Sequence, residues 1–232
     1  MIKICAISDL HGYLPKIEPC ELVLICGDIV GLHAQRYPKS CKKWYIDWFK
    51  PWVNELPCDK VLFIPGNHEV GMEGHEEEYK KLFGPHDKAT VLFHESYEYL
   101  GSDGETYKIF GTPYCKIFGN WAYMRPNSDL KEKFSEIPDG LDILLTHDVA
   151  YGYADQSLQD IGWGTEEHFG TVELRDAILK KKPKYHFSGH IHTADHNLIM
   201  IGDTKHYNVS YIDEKYNPAF KPLYLDINEY TN

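Results

Sequence analysis

Near its end the chain reads Ser188-Gly189-His190-Ile191-His192, directly after Lys184-Tyr185-His186-Phe187. A short apolar run in front of a glycine is the pattern of a strand entering a turn. Two imidazoles one residue apart on extended backbone leave on the same face and reach a common point. Imidazole is the commonest neutral metal ligand, yet two are too few to hold a cation tightly. Alone, the pair reads more readily as two polar loop residues, so other ligand-type residues must decide.

Four further apolar runs end in such residues. Residues 2–7 lead to Asp9 and His11, and residues 21–26 to Asp28. Residues 61–64 lead to Asn67, His68 and Glu69, and residues 141–145 to His147. Parallel strands deliver their carboxyl ends to one edge, so five such turns converge where none would suffice alone. Oxygens from Asp9, Asp28 and Asn67 with four or more histidines exceed one tetrahedral zinc. They suit two divalent ions that share a bridging carboxylate. Mixed nitrogen and oxygen donors without thiolate fit Mn, Fe, Zn or Ni, with Mn favoured.

The elements that must position these residues follow an α/β rhythm. Between residues 41 and 56 the apolar positions form one helical stripe, with Pro51 a candidate kink. Its aromatics (Trp44, Tyr45, Trp48, Phe49, Trp52) read as core packing. Residues 75–83 read as a short acidic helix, and 89–93, 96–100 and 106–111 as strands, with a hairpin turn at 101–104. An irregular aromatic loop spans 112–127, and Ser128 is placed to cap a helix to about Glu136. A long Gly- and Tyr-rich loop covers 149–170. Residues 171–182 read as a helix stopped by Pro183, with Glu173 early and Lys180 to Lys182 late, as the dipole favours. Segments 197–201, 205–209 and 221–227 read as a closing meander. One domain over residues 1–232 is expected.

At 232 residues and 43% hydrophobic composition the chain is long enough for a substantial core. A formal net charge of −11 argues against a nucleic-acid polymer or an anionic membrane as partner. No apolar run reaches the roughly 20 residues of a membrane span. Six cysteines without a Cys-x-x-Cys pattern, and a start lacking the features of a signal peptide, predict a cytoplasmic protein with reduced thiols.

In order, Asp-x-His-Gly at 9–12, Gly-Asp at 27–28, Gly-Asn-His-Glu at 66–69, the lone His147 and Gly-His-x-His at 189–192 resemble the signature of the calcineurin-like metallophosphoesterases. Gly-Asn-His-Glu after the aromatic helix, Leu-Leu-Thr-His at 144–147 and Tyr-Asn-Val-Ser at 207–210 are most similar to the branch near class III cyclic-nucleotide phosphodiesterases. The resemblance implies a four-layer αββα metallophosphoesterase sandwich with mixed sheets and a binuclear centre. It places Asp9, His11 and His192 on one metal, Asn67, His147 and His190 on the other, and Asp28 between them. A metal-bridging hydroxide would then attack phosphorus in line. His68 matches the family histidine that stabilises the transition state or protonates the leaving oxygen, and Glu69 is expected to orient it.

The serine/threonine phosphatase branch carries an arginine close after Gly-Asp, whereas here the nearest is Arg36. Few cationic residues accompany the motifs, and a dianionic monoester usually benefits from one. The expected activity is hydrolysis of small phosphodiesters, cyclic nucleotides among the candidates. Phosphomonoester or protein phosphatase, nuclease and non-catalytic metal-stapled scaffold are the alternatives. Tyr114, Trp121, Tyr123, Tyr151 and Tyr153 are expected to rim the site as faces for a substrate ring, with Arg125 near its phosphate.

Overall fold

The computed structural model describes residues 1–158 and 168–228. Four of its strands, β1 (Ile2–Ile7), β2 (Leu22–Cys26), β3 (Lys60–Ile64) and β4 (Ala89–Val91), run parallel. Strand β13 (Leu223–Ile227) pairs antiparallel with β1, so the first sheet has the order β13-β1-β2-β3-β4. The second sheet contains β5 (Glu95–Leu100), β6 (Thr106–Thr112), β9 (Ile143–Thr146), β10 (Tyr185–Ser188), β11 (Ile199–Ile201) and β12 (Thr204–Asn208). Its order is β11-β12-β10-β9-β6-β5, with antiparallel edges around four parallel strands.

These strands are apolar on both faces because each sheet is covered on both faces. Ile4, Leu24, Leu62 and Ile64 meet Ile109, Ile143, Leu145 and Phe187 between the sheets. The alternate residues Ile7, Val23, Ile25 and Phe63 pack outward against Cys41, Tyr45, Phe49, Val53 and Tyr79. These come from helices α1 (Pro38–Trp44), α2 (Lys50–Glu55) and α3 (Glu76–Leu82), and from a π-helical turn at Tyr45–Phe49. On the far side, α4 (Asn127–Ser135) and α5 (Val172–Lys181) cover Phe110, Leu144 and Ile201. The result is the four-layer αββα arrangement with two mixed sheets. Burying one such aliphatic or aromatic side chain contributes on the order of 1.5–3 kcal/mol, so this core can hold strained turns at the sheet edge.

Several local expectations change. The helix over 41–56 is three consecutive pieces, because Pro51 lacks the N–H that a continuous ladder needs, and the π turn precedes it. Pro126, not Ser128, stands at the N-cap of α4, and the Ser128 hydroxyl donates to Asp129 instead. The aromatic loop 112–127 contains a short parallel ladder, β7 (Cys115–Lys116) with β8 (Met124–Arg125). The closing meander is not formed: β11 and β12 make a hairpin edge, but β13 crosses to the other sheet beside β1. Residues 159–167 of the loop expected over 149–170 lie outside the described residues.

Two buried histidines stand apart from the sheet edge. His186 and His206 are register partners on β10 and β12, with stacked rings 4.7 Å apart. The Thr146 hydroxyl donates to Asp148 O and so accepts from His186 Nε2 at 2.8 Å. Burial holds His186 well below the usual imidazole range and lowers His206 to about 4. An unfolded chain protonates histidine near 6.5, so between that pH and 4 it binds more protons than the folded one. Stability is therefore full above pH 6.5 and is lost as pH falls toward 4. His206→Gln in metal-stripped protein is expected to shrink the stability difference between pH 7.5 and pH 5 by about 2 kcal/mol. Urea unfolding at the two pH values measures it, and an unchanged difference contradicts the neutral, buried assignment.

Candidate metal centre

The turns after β1, β2, β3, β9 and β10 meet at one edge, and backbone bonds lace them together. Asp9 N donates to Gly27 O at 3.0 Å and His11 N to Asp28 O at 2.8 Å. Asp9, His11, Asp28 and His190 all have positive φ, at 55°, 42°, 51° and 70°. Left-handed backbone costs a non-glycine residue roughly 1–2 kcal/mol, and such strain collects at functional sites. Two glycines permit the closest approaches. A Cβ on Gly66 would lie 2.3 Å from Asp28 Oδ1, and one on Gly189 would lie 2.3 Å from Asp9 Oδ2.

Donor atoms gather in three groups, each within 4.8 Å: Asp9, His11 and His192; Asp28, His147 and His190; and His11, Asp28 and His68. Asp28 divides its two oxygens. Oδ1 accepts His68 N–H at 2.7 Å. Oδ2 faces His147 Nε2 at 3.4 Å, His11 Nε2 at 3.6 Å and His68 Nε2 at 3.9 Å. Two ring orientations are fixed from behind, since Nδ1–H of His147 donates to Cys26 O at 2.8 Å and that of His192 to Asp213 O at 3.2 Å. Their Nε2 atoms are thereby left facing inward, the arrangement of an anchored metal ligand. Asp9 is held by His190 N–H and, at 2.7 Å, by the Ser210 hydroxyl, and its Oδ1 lies 3.5 Å from His192 Nε2.

The residues fit divalent cations. Asp9 and Asp28 are buried, and among the described residues only histidines pair with them. Both ring nitrogens of buried His11 lack a hydrogen-bond partner among the described residues. Burial pushes His11 and His190 down to about 3, so both present lone pairs at neutral pH. At His147, burial alone would lower the imidazole, but the Asp28 carboxylate carries it up to about 10. Its Nε2 also lies 2.8 Å from Asn67 Oδ1. Acceptors that converge this way call for a proton or a cation between them, and a cation satisfies all of them.

Glu69 does not orient His68. Its buried carboxylate accepts N–H bonds from Asp28, Ile29, Val30 and Gly66 at 2.6–3.0 Å, and the Tyr45 hydroxyl at 3.1 Å. Burial and the nearby Asp28 charge push Glu69 up to about 7. It braces the Asp28 turn against the Asn67 turn, and Gln35 takes the place expected for it by accepting from His68 Nδ1. Trp121 does reach the site, stacking on the His68 ring at 4.3 Å. Arg36 lies 3.8 Å over the same indole, and a ring and a guanidinium at these distances need opposite faces. No face of Trp121 is left for a substrate ring.

Tyr114 and Arg125 are not at the ligands either. Arg125 pairs with Glu73 at 2.9 Å and lies over Tyr114, which packs beside Tyr123 and His94. Tyr123 is buried, Tyr151 sits against His168 and Arg175, and Tyr153 packs on the core beneath α4 and α5. An aromatic that was not anticipated takes the position instead. Tyr216 contacts His11 and His192 edge-on, with centroids at 4.8 and 5.5 Å. The stretch 207–210 also gains a role, because Asn208 binds Ile191 O while Ser210 holds Asp9.

A family model described as calcineurin-like phosphoesterase matches residues 2–194. A UPF0046 protein of Caenorhabditis elegans is 29% identical over 242 residues, covering 97% of this chain and 81% of that protein. Human metallophosphoesterase domain-containing protein 1 is 29% identical over 244 residues, 97% of this chain and 71% of its own length. Among solved structures, the protein TT1561 of Thermus thermophilus aligns with TM-score 0.61 at 13% identity, over 90% of this chain and 88% of that one. The phosphopantetheinyl hydrolase of Mycobacterium tuberculosis aligns with TM-score 0.57 at 12% identity, over 92% and 90%. At such identities the structures establish the shared fold alone.

Proposed function

The chain belongs to the calcineurin-like phosphoesterase family, and on that footing we propose that it hydrolyses small phosphodiesters, cyclic nucleotides among them, with two divalent cations. The observation that carries this reading is the pair of donor groups on either side of Asp28 Oδ2. Asp9, His11 and His192 would hold one cation and Asn67, His147 and His190 the other, with Asp28 reaching both. Bound there, Mn²⁺ or a similar ion supplies Lewis acidity toward the phosphoryl oxygens and toward a water. His68 donates its Nδ1–H to Gln35 and turns Nε2 toward the site. Burial favours the neutral ring, so Nε2 must first gain a proton, forming the imidazolium, before it can pass one to the departing oxygen. Trp121 and Gln35 fix that ring, and Glu69 keeps the Asp28 and Asn67 turns in register. Six free cysteines suit a reducing, cytoplasmic setting.

Diester preference rests on charge. A monoanionic diester needs no cationic side chain beyond the metals, and among the described residues neither buried carboxylate of the site has a lysine or arginine partner. One observation favours a phosphomonoester instead: Arg36 reaches the far face of the indole that stacks on His68. With Mn²⁺, bis(p-nitrophenyl) phosphate is expected to be turned over with higher kcat/KM than p-nitrophenyl phosphate. A clear preference for the monoester moves the reading to phosphatase.

A further inference from the structure

A groove of about 380 Å³ opens beside the donor cluster, with His11 common to both. Its walls are His11, Tyr13, Leu32, His33, Trp44 and Tyr216, joined by two glycines. Among the described lining residues there is no lysine, arginine, aspartate or glutamate. A wall of aromatic and aliphatic side chains without carboxylate, ammonium or guanidinium groups recognises an uncharged flat group better than an anionic one. The volume is at the small end of organic-ligand pockets, about 300–1,000 Å³, which is enough for a ring.

The groove is built rather than incidental. Tyr216 has φ of 62°, a costly backbone state for a bulky residue. The turn holds it there: Tyr216 N donates to Asp213 O, and the Tyr13 hydroxyl donates to Tyr216 O at 3.1 Å. Asp213 O also receives the Nδ1–H of His192, so one turn fixes both a metal-type ligand and the groove wall. Tyr216 lies beyond the residue 194 at which the family match ends, so this wall is supplied by a segment outside the matched region. Trp121, another aromatic at the site, is engaged by His68 and Arg36, and Phe118 packs on His190.

We infer that the groove between Tyr13, Leu32 and Tyr216 receives the uncharged planar part of the ester, an aryl or nucleobase ring, while the phosphoryl group faces the donor groups around Asp28. The inference rests on the phosphoesterase reading for the placement of the phosphoryl group. It is tested by binding, separately from turnover. Phenylphosphonate and methylphosphonate carry the same headgroup and differ only in the ring. Titrated calorimetrically into Mn²⁺-loaded protein, phenylphosphonate is expected to bind about tenfold more tightly. Tyr216→Ala and, independently, Leu32→Asp are expected to bring the affinity ratio within about threefold. Equal affinities in the unmodified protein, a ratio untouched in both variants, or no binding of either phosphonate overturns the inference. An intact ratio with no turnover of any phosphoester leaves the groove standing and sinks the hydrolase reading. Turnover with no ring preference does the reverse.

Discussion

Asp28→Asn is expected to abolish turnover, by on the order of 10³-fold or more, and to release at least one of two bound cations per chain. The geometry leaves the amide no good orientation. Oδ1 of Asp28 accepts the His68 N–H at 2.7 Å, while Oδ2 faces three imidazoles at 3.4–3.9 Å. If the amide nitrogen takes the first position, two donors oppose each other. If it takes the second, a donor points where a cation must bind, and the formal charge is gone in either case. The fold should survive, because removing the Asp28 charge relieves the repulsion that, added to burial, pushes Glu69 up to about 7. Elemental analysis, with circular dichroism to verify folding, checks both halves. Two cations and normal kcat in this variant would show that the bridge assignment is wrong.

The seven ligand-type positions were legible because each stands one to four residues past an apolar run or its closing glycine, and buried parallel strands bring such positions to one edge. Adjacency misled at Glu69. After the Gly66 turn its carboxylate points away from His68, into four backbone N–H groups that no sequence pattern marks. Gln35 had no signal at all, being a single polar residue in an aperiodic loop. The aromatic content of 112–127 was readable, but whether a ring keeps a free face is decided by tertiary packing. Arg36 and His68 both claim Trp121. Tyr216 sits in a turn rich in polar residues, where one aromatic carries no periodicity. Strand β13 shows the same limit at the level of topology: its apolar run announces a strand, and only the pairing with β1 says which sheet it joins.

His68→Ala is expected to lower kcat by on the order of 10²–10⁴, the range for a general acid or base, while both cations remain bound. The ring is held on three sides. Gln35 accepts from Nδ1, Trp121 stacks on one face at 4.3 Å, and the His11 ring stands perpendicular to the His68 ring with centroids 4.6 Å apart. That fixes Nε2 toward Asp28 Oδ2 at 3.9 Å, close to the cluster but farther than His147 or His11. His68 also contributes a ring nitrogen to the 4.8 Å group with His11 and Asp28, so a ligand role is the rival. Two measurements separate them. A proton donor matters most when the departing alkoxide is basic, so the loss should be large for an alkyl leaving group and small for p-nitrophenolate. A ligand lost from the centre depresses both equally and lowers metal content in proportion. Trp121→Ala gives the companion test: with its faces taken by His68 and Arg36, it should lower kcat about tenfold and leave KM nearly unchanged. A selective rise in KM for aromatic esters would instead return Trp121 to the role of a substrate platform.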